Sequence, residues 1–141
     1  MLRQCIGPQD EGKAAVRNGL LRGKRVLVLE DEPIIAMLLE ELVETAGGEA
    51  DCVTSLEGAA SAIEQRRPDV AVLDINIKDR HSFDLARQLA DLGVPILFAS
   101  GYRKTIVPPD MAHVPIVTKP YSLEDLDQAF KAAFAPADRR L

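Results

Sequence analysis

The sequence has few of the residues that build disulfide frameworks or sulfur and nitrogen metal sites: two cysteines and two histidines in 141 residues. Cys5 and Cys52 lie far apart, no CxxC pair occurs, and neither histidine stands at ligand spacing. This pattern favours a reducing compartment over a disulfide-rich secreted protein. We expect Cys52, in an apolar strand, to be a small buried residue.

Long apolar runs and an excess of basic charge are also missing. No apolar stretch approaches the roughly 18–20 residues of a membrane-spanning helix, and no signal peptide opens the chain. Twenty-two acidic residues against 17 lysines and arginines give a net charge of −5, which argues against a dedicated nucleic-acid binder. We therefore expect a cytoplasmic protein that binds neither membranes nor nucleic acids.

The sequence does contain a regular alternation of short apolar runs and amphipathic helical patterns. The runs lack the polar alternation of a half-exposed sheet. This pattern predicts an α/β fold, a doubly wound, five-stranded parallel sheet in a three-layer αβα sandwich. Pro108 and Pro109 follow the fourth run, so the fourth helix should be short or irregular. The predicted strands are 26–29, 50–53, 70–74, 95–99 and 115–117.

A chain of this length suffices for one domain with a sizeable core. We expect that domain over residues 23–136, after a flexible extension, 1–22, and before a short tail, 137–141. Ser122 and Asp125 stand at capping-box spacing and predict the start of the last helix.

The rest of the chain is arranged around the third predicted strand, which stops at a single carboxylate, Asp74. Burying an ionised carboxylate is costly without partners. At the carboxyl end of a parallel strand, however, it can look into the crevice where such sheets bind ligands. Two acids, a hydroxyl and an amine stand at the ends of other predicted strands: Glu30, Asp31, Ser100 and Lys119.

We expect these side chains to converge, because the carboxyl ends of parallel strands share one edge. Several carboxylates with oxygen ligands suit Mg²⁺, and without a cation they would repel one another. Asp74 beside that cation is a candidate nucleophile toward phosphorus, giving an aspartyl phosphate. Mg²⁺ and Lys119 would each neutralise a phosphoryl oxygen, and Ser100 would donate to a third.

With these motifs, residues 23–135 resemble the receiver domain of bacterial two-component response regulators. Four pieces stand in the family's order: Val28-Leu29-Glu30-Asp31-Glu32-Pro33, Leu73-Asp74-Ile75-Asn76, Ala99-Ser100-Gly101 and Lys119-Pro120-Tyr121. The resemblance implies a flavodoxin-like strand order, 2-1-3-4-5.

The resemblance also implies a metal site. Asp74 would be the phosphoacceptor, and Glu30 and Asp31 the acidic pair, with Asp31 as the direct Mg²⁺ ligand. Asn76 would contribute its backbone carbonyl to the same ion.

The phosphate and switch residues follow from the same resemblance. Ser100 matches the switch hydroxyl and Lys119 the phosphate-pairing lysine, and the peptide before Pro120 is a candidate cis bond. The stretch Phe98-Ala99-Ser100-Gly101-Tyr102 is similar to the FAT GUY subgroup of single-domain receivers, in which Tyr102 would be an altered switch element.

Two positions depart from the family pattern, and both lie near these motifs. Ile116 stands where the fifth strand usually carries the switch aromatic, so the common coupling of hydroxyl and aromatic cannot operate unchanged. Ser82 stands where many receivers carry glycine. It follows segment 76–81, which reads as a polar loop.

The expected function is a stand-alone phosphorylation switch rather than an enzyme, with at most weak self-dephosphorylation. A sensor histidine kinase or a histidine phosphotransfer protein would supply the phosphoryl group, and output would pass to a downstream protein target. A homodimer stays open. The alternatives are a degenerate receiver that never accepts phosphate, a Mg²⁺-dependent aspartyl-phosphate phosphohydrolase and an FMN carrier. Asn76 counts against the phosphohydrolase, because such enzymes commonly carry a second acid there.

Overall fold

The computed structural model describes residues 19–101, 106–119 and 121–135. In these residues, five strands form the main sheet and two short strands form a hairpin; four α-helices and one 3-10 helix accompany them, the last α-helix following the last strand. The strands are β1 (Arg25–Leu29), β2 (Glu49–Val53), β3 (Val70–Asp74), β4 (Asn76–Ile77), β5 (Arg80–His81), β6 (Ile96–Ser100) and β7 (Ile116–Thr118). The helices are α1 (Pro33–Thr45), α2 (Leu56–Gln65), α3 (Phe83–Asp91), the 3-10 helix (Pro109–Met111) and α4 (Leu123–Phe134).

The main sheet is parallel throughout and has the order β2-β1-β3-β6-β7. Without the hairpin, this is the predicted order 2-1-3-4-5, so the predicted fold is confirmed. Segment 76–81, which we expected to be a loop, is instead the β4–β5 hairpin.

Two separate apolar clusters lie on the two faces of the sheet, which makes the fold a three-layer sandwich. Helices α1 and α4 cover one face, and α2 and α3 cover the other. Strand β1 serves both clusters, because alternate side chains of a strand point to opposite faces. Val26 and Val28 belong to the α1 side, and Leu27 and Leu29 to the α2 side.

The outer strand β2 corrects one prediction. Cys52 is exposed, because β2 has only β1 beside it and ends the sheet. The expectation of a buried cysteine was wrong, because the short run 50–53 does not by itself show whether its strand is central or outer.

Local signals in the sequence account for several helix boundaries. Pro33 occupies the first turn of α1, where its missing N–H costs no helical hydrogen bond. Ser122 and Asp125 form the predicted capping box of α4. Gly47, with a φ of 92°, follows the end of α1, and glycine adopts this left-handed conformation at little cost.

Two regions at the margins of the sheet matter for the domain boundaries. Leu21 is fully buried in the cluster on the α1 face, so the packed core begins before Arg25. In the described residues between β6 and β7, the 3-10 helix Pro109–Met111 is the helical segment, as the paired prolines predicted. No helix among the described residues is long and apolar enough to cross a bilayer.

Candidate functional site

The ends of four strands bring ionisable and hydroxyl side chains to the carboxyl edge of the sheet. Glu30 directly follows β1, Asp74 ends β3, Ser100 ends β6, and Lys119 directly follows β7. The N–H of Lys119 donates to the carbonyl of Ser100 at 2.8 Å, which joins the last two of these ends. Parallel pairing alone therefore gathers residues that are up to 89 positions apart in the sequence.

Lys119 is the cation at the centre of this group. Its Nζ lies 2.8 Å from Asp74 Oδ2, 2.9 Å from Glu30 Oε1 and 3.3 Å from Glu32 Oε1. Burial by itself lowers the pKa of Lys119, but hydrogen bonds to Asp74 and Glu30 outweigh it and hold this pKa above the ordinary lysine value. The ammonium is therefore charged at neutral pH and shared among three carboxylates.

Glu30 is the most deeply buried acid of the group, with 1% of its surface exposed. The N–H of Glu32 donates to Glu30 Oε2 at 3.0 Å, which fixes the side chain across the start of α1. Burial raises the pKa of Glu30 above the ordinary glutamate value, although the contacts with Lys119 and with the Glu32 N–H act in the opposite direction.

Asp74 is held at both of its carboxylate oxygens and at its backbone. Oδ2 accepts from Lys119, and Oδ1 accepts from the N–H of Asn76 at 3.2 Å. The carbonyl oxygen of Asp74 accepts a hydrogen bond of 2.8 Å from the hydroxyl of Ser82. The carboxylate is thus oriented from three sides, and 5% of the residue remains exposed.

Three acids of this group fit a divalent cation. One oxygen each of Glu30, Asp31 and Asp74 lies within 4.8 Å of the other two. A hard oxygen donor set of this kind suits Mg²⁺. In the described part of the chain, Glu30, Glu32 and Asp74 share Lys119 as their cation, and Asp31 lies beside Glu30 and Asp74. A bound cation would therefore reduce the mutual repulsion of these acids.

The hairpin leaves the backbone carbonyl of Asn76 available to such a cation. The N–H of Ser82 donates to the carbonyl of Ile75 at 3.0 Å, so Ile75 and Ser82 are a hydrogen-bonded pair. Antiparallel pairs alternate between hydrogen-bonded and non-hydrogen-bonded, which makes the next pair, Asn76 and His81, the non-hydrogen-bonded one. The backbone groups of Asn76 therefore point away from His81, and its N–H already contacts Asp74.

Comparison with known proteins agrees with this arrangement. A family model described as the response regulator receiver domain matches residues 26–131. The chain belongs to the response regulator receiver family.

Solved receivers share both the fold and a modest sequence identity with this receiver. SdrG from Sphingomonas melonis Fr1 is 30% identical with a TM-score of 0.72, over 79% of this chain and 97% of SdrG. A second SdrG structure, of a BeF3-activated conformation, is 29% identical with a TM-score of 0.68, over 79% of this chain and 96% of that one. The receiver domain of PhyR from Erythrobacter litoralis is 26% identical with a TM-score of 0.70, over 80% of this chain and 94% of that domain.

Curated relatives are longer proteins. The response regulator TodT of Pseudomonas putida is 27% identical over 96% of this chain, which spans 63% of TodT. Across the curated relatives compared, the chain spans between 37% and 63% of their length.

The structure brings together Glu30, Asp31, Asp74 and Lys119 as the sequence predicted, with Asn76 beside Asp74 and Ser100 buried at the end of β6. Two further predicted residues, Tyr102 and Pro120, lie outside the described residues. Their roles stay predictions.

Sequence reasoning missed three residues that contact or surround this receiver's pocket: Glu32, Ser82 and Tyr121. Glu32 reads as an ordinary first-turn acid, and only the fold shows that it reaches Lys119. Tyr121 is buried and its hydroxyl has no hydrogen-bond partner among the described residues. Burial, together with the charge of Glu30, raises the pKa of Tyr121 above the ordinary tyrosine value.

Proposed function

We propose that this receiver accepts a phosphoryl group on Asp74, with Mg²⁺, from a phosphohistidine of a sensor histidine kinase or a histidine phosphotransfer protein, and passes the signal on by protein–protein contact. The observation that supports this most is the 2.8 Å contact between Lys119 Nζ and Asp74 Oδ2 beside the acids of the pocket. A structural ion pair would need one carboxylate, whereas three carboxylates contact this ammonium and a fourth, Asp31, lies beside two of them.

The transfer follows from the positions of these groups. A carboxylate oxygen of Asp74 attacks phosphorus and forms the acyl phosphate bond, while the bond from phosphorus to the donor imidazole breaks. The electron pair of that bond stays on the imidazole nitrogen, which then takes a proton from solvent. Glu30, Asp31, Asp74 and the Asn76 carbonyl would hold Mg²⁺, which supplies positive charge to the phosphoryl oxygens when bound.

Lys119 supplies the protein's own positive charge. Its ammonium already lies against Asp74, so it can pair with a phosphoryl oxygen without moving far. A phosphoryl group adds roughly −1.5 to −2 charge, which competes with Glu30 and Glu32 for that ammonium. Ser100, buried at the neighbouring strand end, is the hydroxyl that we expect to move toward the new charge.

The donor protein must dock next to the pocket, and helix α1 offers an apolar face there. Ile34, Met37 and Leu38 are 79%, 67% and 40% exposed, and they follow Asp31 by only a few residues. Spacings of three and four residues place them on one side of the helix. We therefore assign this face to the phosphoryl donor, since transfer requires contact within reach of Asp74.

The experiment is labelling of the full chain by acetyl phosphate or beryllofluoride in the presence of Mg²⁺, followed by intact mass and NMR. We expect stoichiometric modification, abolished by Asp74→Ala and kept by the control Asp91→Ala, at the exposed end of α3. Labelling that survives Asp74→Ala would contradict the assignment. A wild type that binds Mg²⁺ but is never labelled would indicate a degenerate receiver, and turnover of free phosphate esters would indicate a phosphohydrolase.

A further inference from the structure

We infer that Ser82 is a positioning residue for the phosphoacceptor: its buried hydroxyl holds the backbone of Asp74 and thereby sets where the Asp74 carboxylate and the Asn76 carbonyl point. The inference rests on the proposed function where its test measures the labelling of Asp74. Ser82 has no exposed surface, and its contacts are all to backbone. The hydroxyl donates to the Asp74 carbonyl at 2.8 Å, the N–H donates to the Ile75 carbonyl at 3.0 Å, and the carbonyl accepts from the Ala86 N–H at 3.0 Å.

The Asp74 carbonyl needs this partner because of where β1 ends. The ladder between β1 and β3 stops at the pair Leu29 and Leu73, whereas β6 continues to Ala99 opposite Asp74. The N–H of Ile75 donates to the Ala99 carbonyl at 2.9 Å. Adjacent residues of a strand direct their backbone groups to opposite sides, so the Asp74 carbonyl points to the side where β1 has ended. A buried carbonyl without a partner is unfavourable, and Ser82 supplies one.

In the described part of the chain, three serines directly precede helices, and Ser82 differs from the other two. The hydroxyl of Ser55 accepts from the N–H of Gly58 at 2.9 Å, and that of Ser122 accepts from the N–H of Asp125 at 3.0 Å. Both are ordinary helix caps. Ser82 makes no such contact with α3, because its hydroxyl is turned back toward Asp74. The start of α3 therefore has no side-chain cap, because the hydroxyl that could have capped it is bonded to the Asp74 carbonyl.

The loop that Ser82 closes is itself strained. Lys78 and Asp79, at the tip of the hairpin, have φ values of 51° and 67°, a conformation that side chains other than glycine rarely adopt. The two hydrogen bonds from Ser82 to consecutive carbonyls close the hairpin onto the end of β3 despite this strain. Without the hydroxyl, the hairpin and the Asp74 carbonyl can shift, and a shift of about 1 Å in a reacting group costs on the order of a hundredfold in rate.

The experiment compares Ser82→Ala and Ser82→Thr with Ser55→Ala. The last variant is the matched control, because it also removes one hydroxyl from a helix start but not next to Asp74. Mg²⁺ affinity is measured by isothermal titration calorimetry, and the labelling rate by acetyl phosphate at saturating Mg²⁺. We expect Ser82→Ala to weaken Mg²⁺ binding about tenfold, the lower end of the effect of groups that hold metal ligands in place, and to slow labelling about tenfold.

Ser82→Thr, which keeps the hydroxyl, should stay within about threefold of the wild type in both measurements, and Ser55→Ala should match the wild type per folded molecule. If Ser82→Ala does not fold, Ser82→Cys, with a weak donor in nearly the same volume, takes its place. Unchanged Mg²⁺ affinity in the Ser82 variant overturns the inference whatever the labelling rate. A wild type that binds Mg²⁺ but is never labelled overturns the proposed function instead, and the affinities still decide the role of Ser82.

Discussion

Strands β1 and β3 carry ionic groups at both of their ends. The side of the sheet where the parallel strands begin (the amino edge) and the side where they end (the carboxyl edge) balance this charge differently. At the amino edge, the Arg25 guanidinium pairs with Asp51 and donates to the Arg66 carbonyl, while the Arg25 N–H donates to Asp69 at 2.8 Å. Each carboxylate there has a donor of its own. At the carboxyl edge, three carboxylates share Lys119.

The difference separates groups that complete the fold from groups prepared for a ligand. At the amino edge, the carboxylates of Asp51 and Asp69 are both paired with Arg25. Among the described residues, the carboxyl edge has more acids than cations, and two of these acids, Glu30 and Asp74, are buried. The repulsion among these carboxylates is unfavourable in the absence of a ligand. A cation that binds together with a phosphoryl group would relieve it.

The largest expected effect comes from removing Lys119, the cation that contacts the acids of the carboxyl edge among the described residues. Lys119→Met should slow labelling of Asp74 by about a hundredfold, the effect of losing one preorganised charge donor. It should also lower the free energy of unfolding by about 3–5 kcal/mol, because Glu30 and Asp74 stay buried without their partner. Urea unfolding and acetyl phosphate labelling measure the two effects.

The control is Arg87→Met. Arg87 pairs with Asp84 and Asp110, and all three side chains are at least 41% exposed, so its loss should leave the free energy of unfolding nearly unchanged. A labelling rate for Lys119→Met within threefold of the wild type would contradict the role of Lys119.

At the amino edge, the corresponding change should affect stability alone. Arg25→Met removes the pair with Asp51 and the hydrogen bond to the Arg66 carbonyl, and we expect the free energy of unfolding to fall by about 2 kcal/mol. The labelling rate per folded molecule should stay that of the wild type. If labelling fell together with stability, the two edges would be coupled and the contrast between them would fail.

Mg²⁺ tests the charge deficit directly. At ten times its dissociation constant, Mg²⁺ should raise the free energy of unfolding by about 1.4 kcal/mol. Asp31→Asn should abolish this response, and Asp51→Asn, at the amino edge, should keep it. Urea titrations with and without Mg²⁺ measure the difference, and an equal response in the two variants would exclude the acids of the carboxyl edge as the binding site.

The smallest effect concerns Cys52, on the outer strand β2. Partial burial of the thiol, together with the nearby carboxylates of Glu40, Asp51 and Glu44, raises the pKa of Cys52 to about 11. A raised pKa leaves less thiolate at pH 8 than an ordinary thiol has, so alkylation of Cys52 should be on the order of a hundredfold slower than in urea. In a Cys5→Ser background, the rate should rise about tenfold per pH unit up to about pH 11.

The sequence predicted the parts of the site that depend on strand ends. An apolar run that stops at Asp74, Glu30 or Lys119 shows which edge each residue occupies, because the sheet is parallel. The family resemblance supplied the strand order, which the apolar runs alone leave open. Helix starts followed from short-range chemistry, as at Pro33 and Ser122.

The rest depends on contacts that no local pattern encodes. Glu32 has the same first-turn signature whether it faces solvent or Lys119. The hydroxyl of Ser82 could equally have capped α3, and the end of β1 opposite Leu73 is what turns it toward Asp74. Cys52 was misplaced for a related reason, since the exposure of a strand residue depends on how many neighbours its strand has.

The burial of β3 on both faces has a consequence for how a signal can leave the molecule. All five of its residues are buried, and it has a partner strand on each side. Amide protons in such a strand exchange with solvent only when the whole domain opens. Asp74 therefore stands on a strand that we expect to be among the last to open. If Asp74 accepts a phosphoryl group as proposed, the signal would be conveyed by groups that move toward it rather than by movement of its own strand.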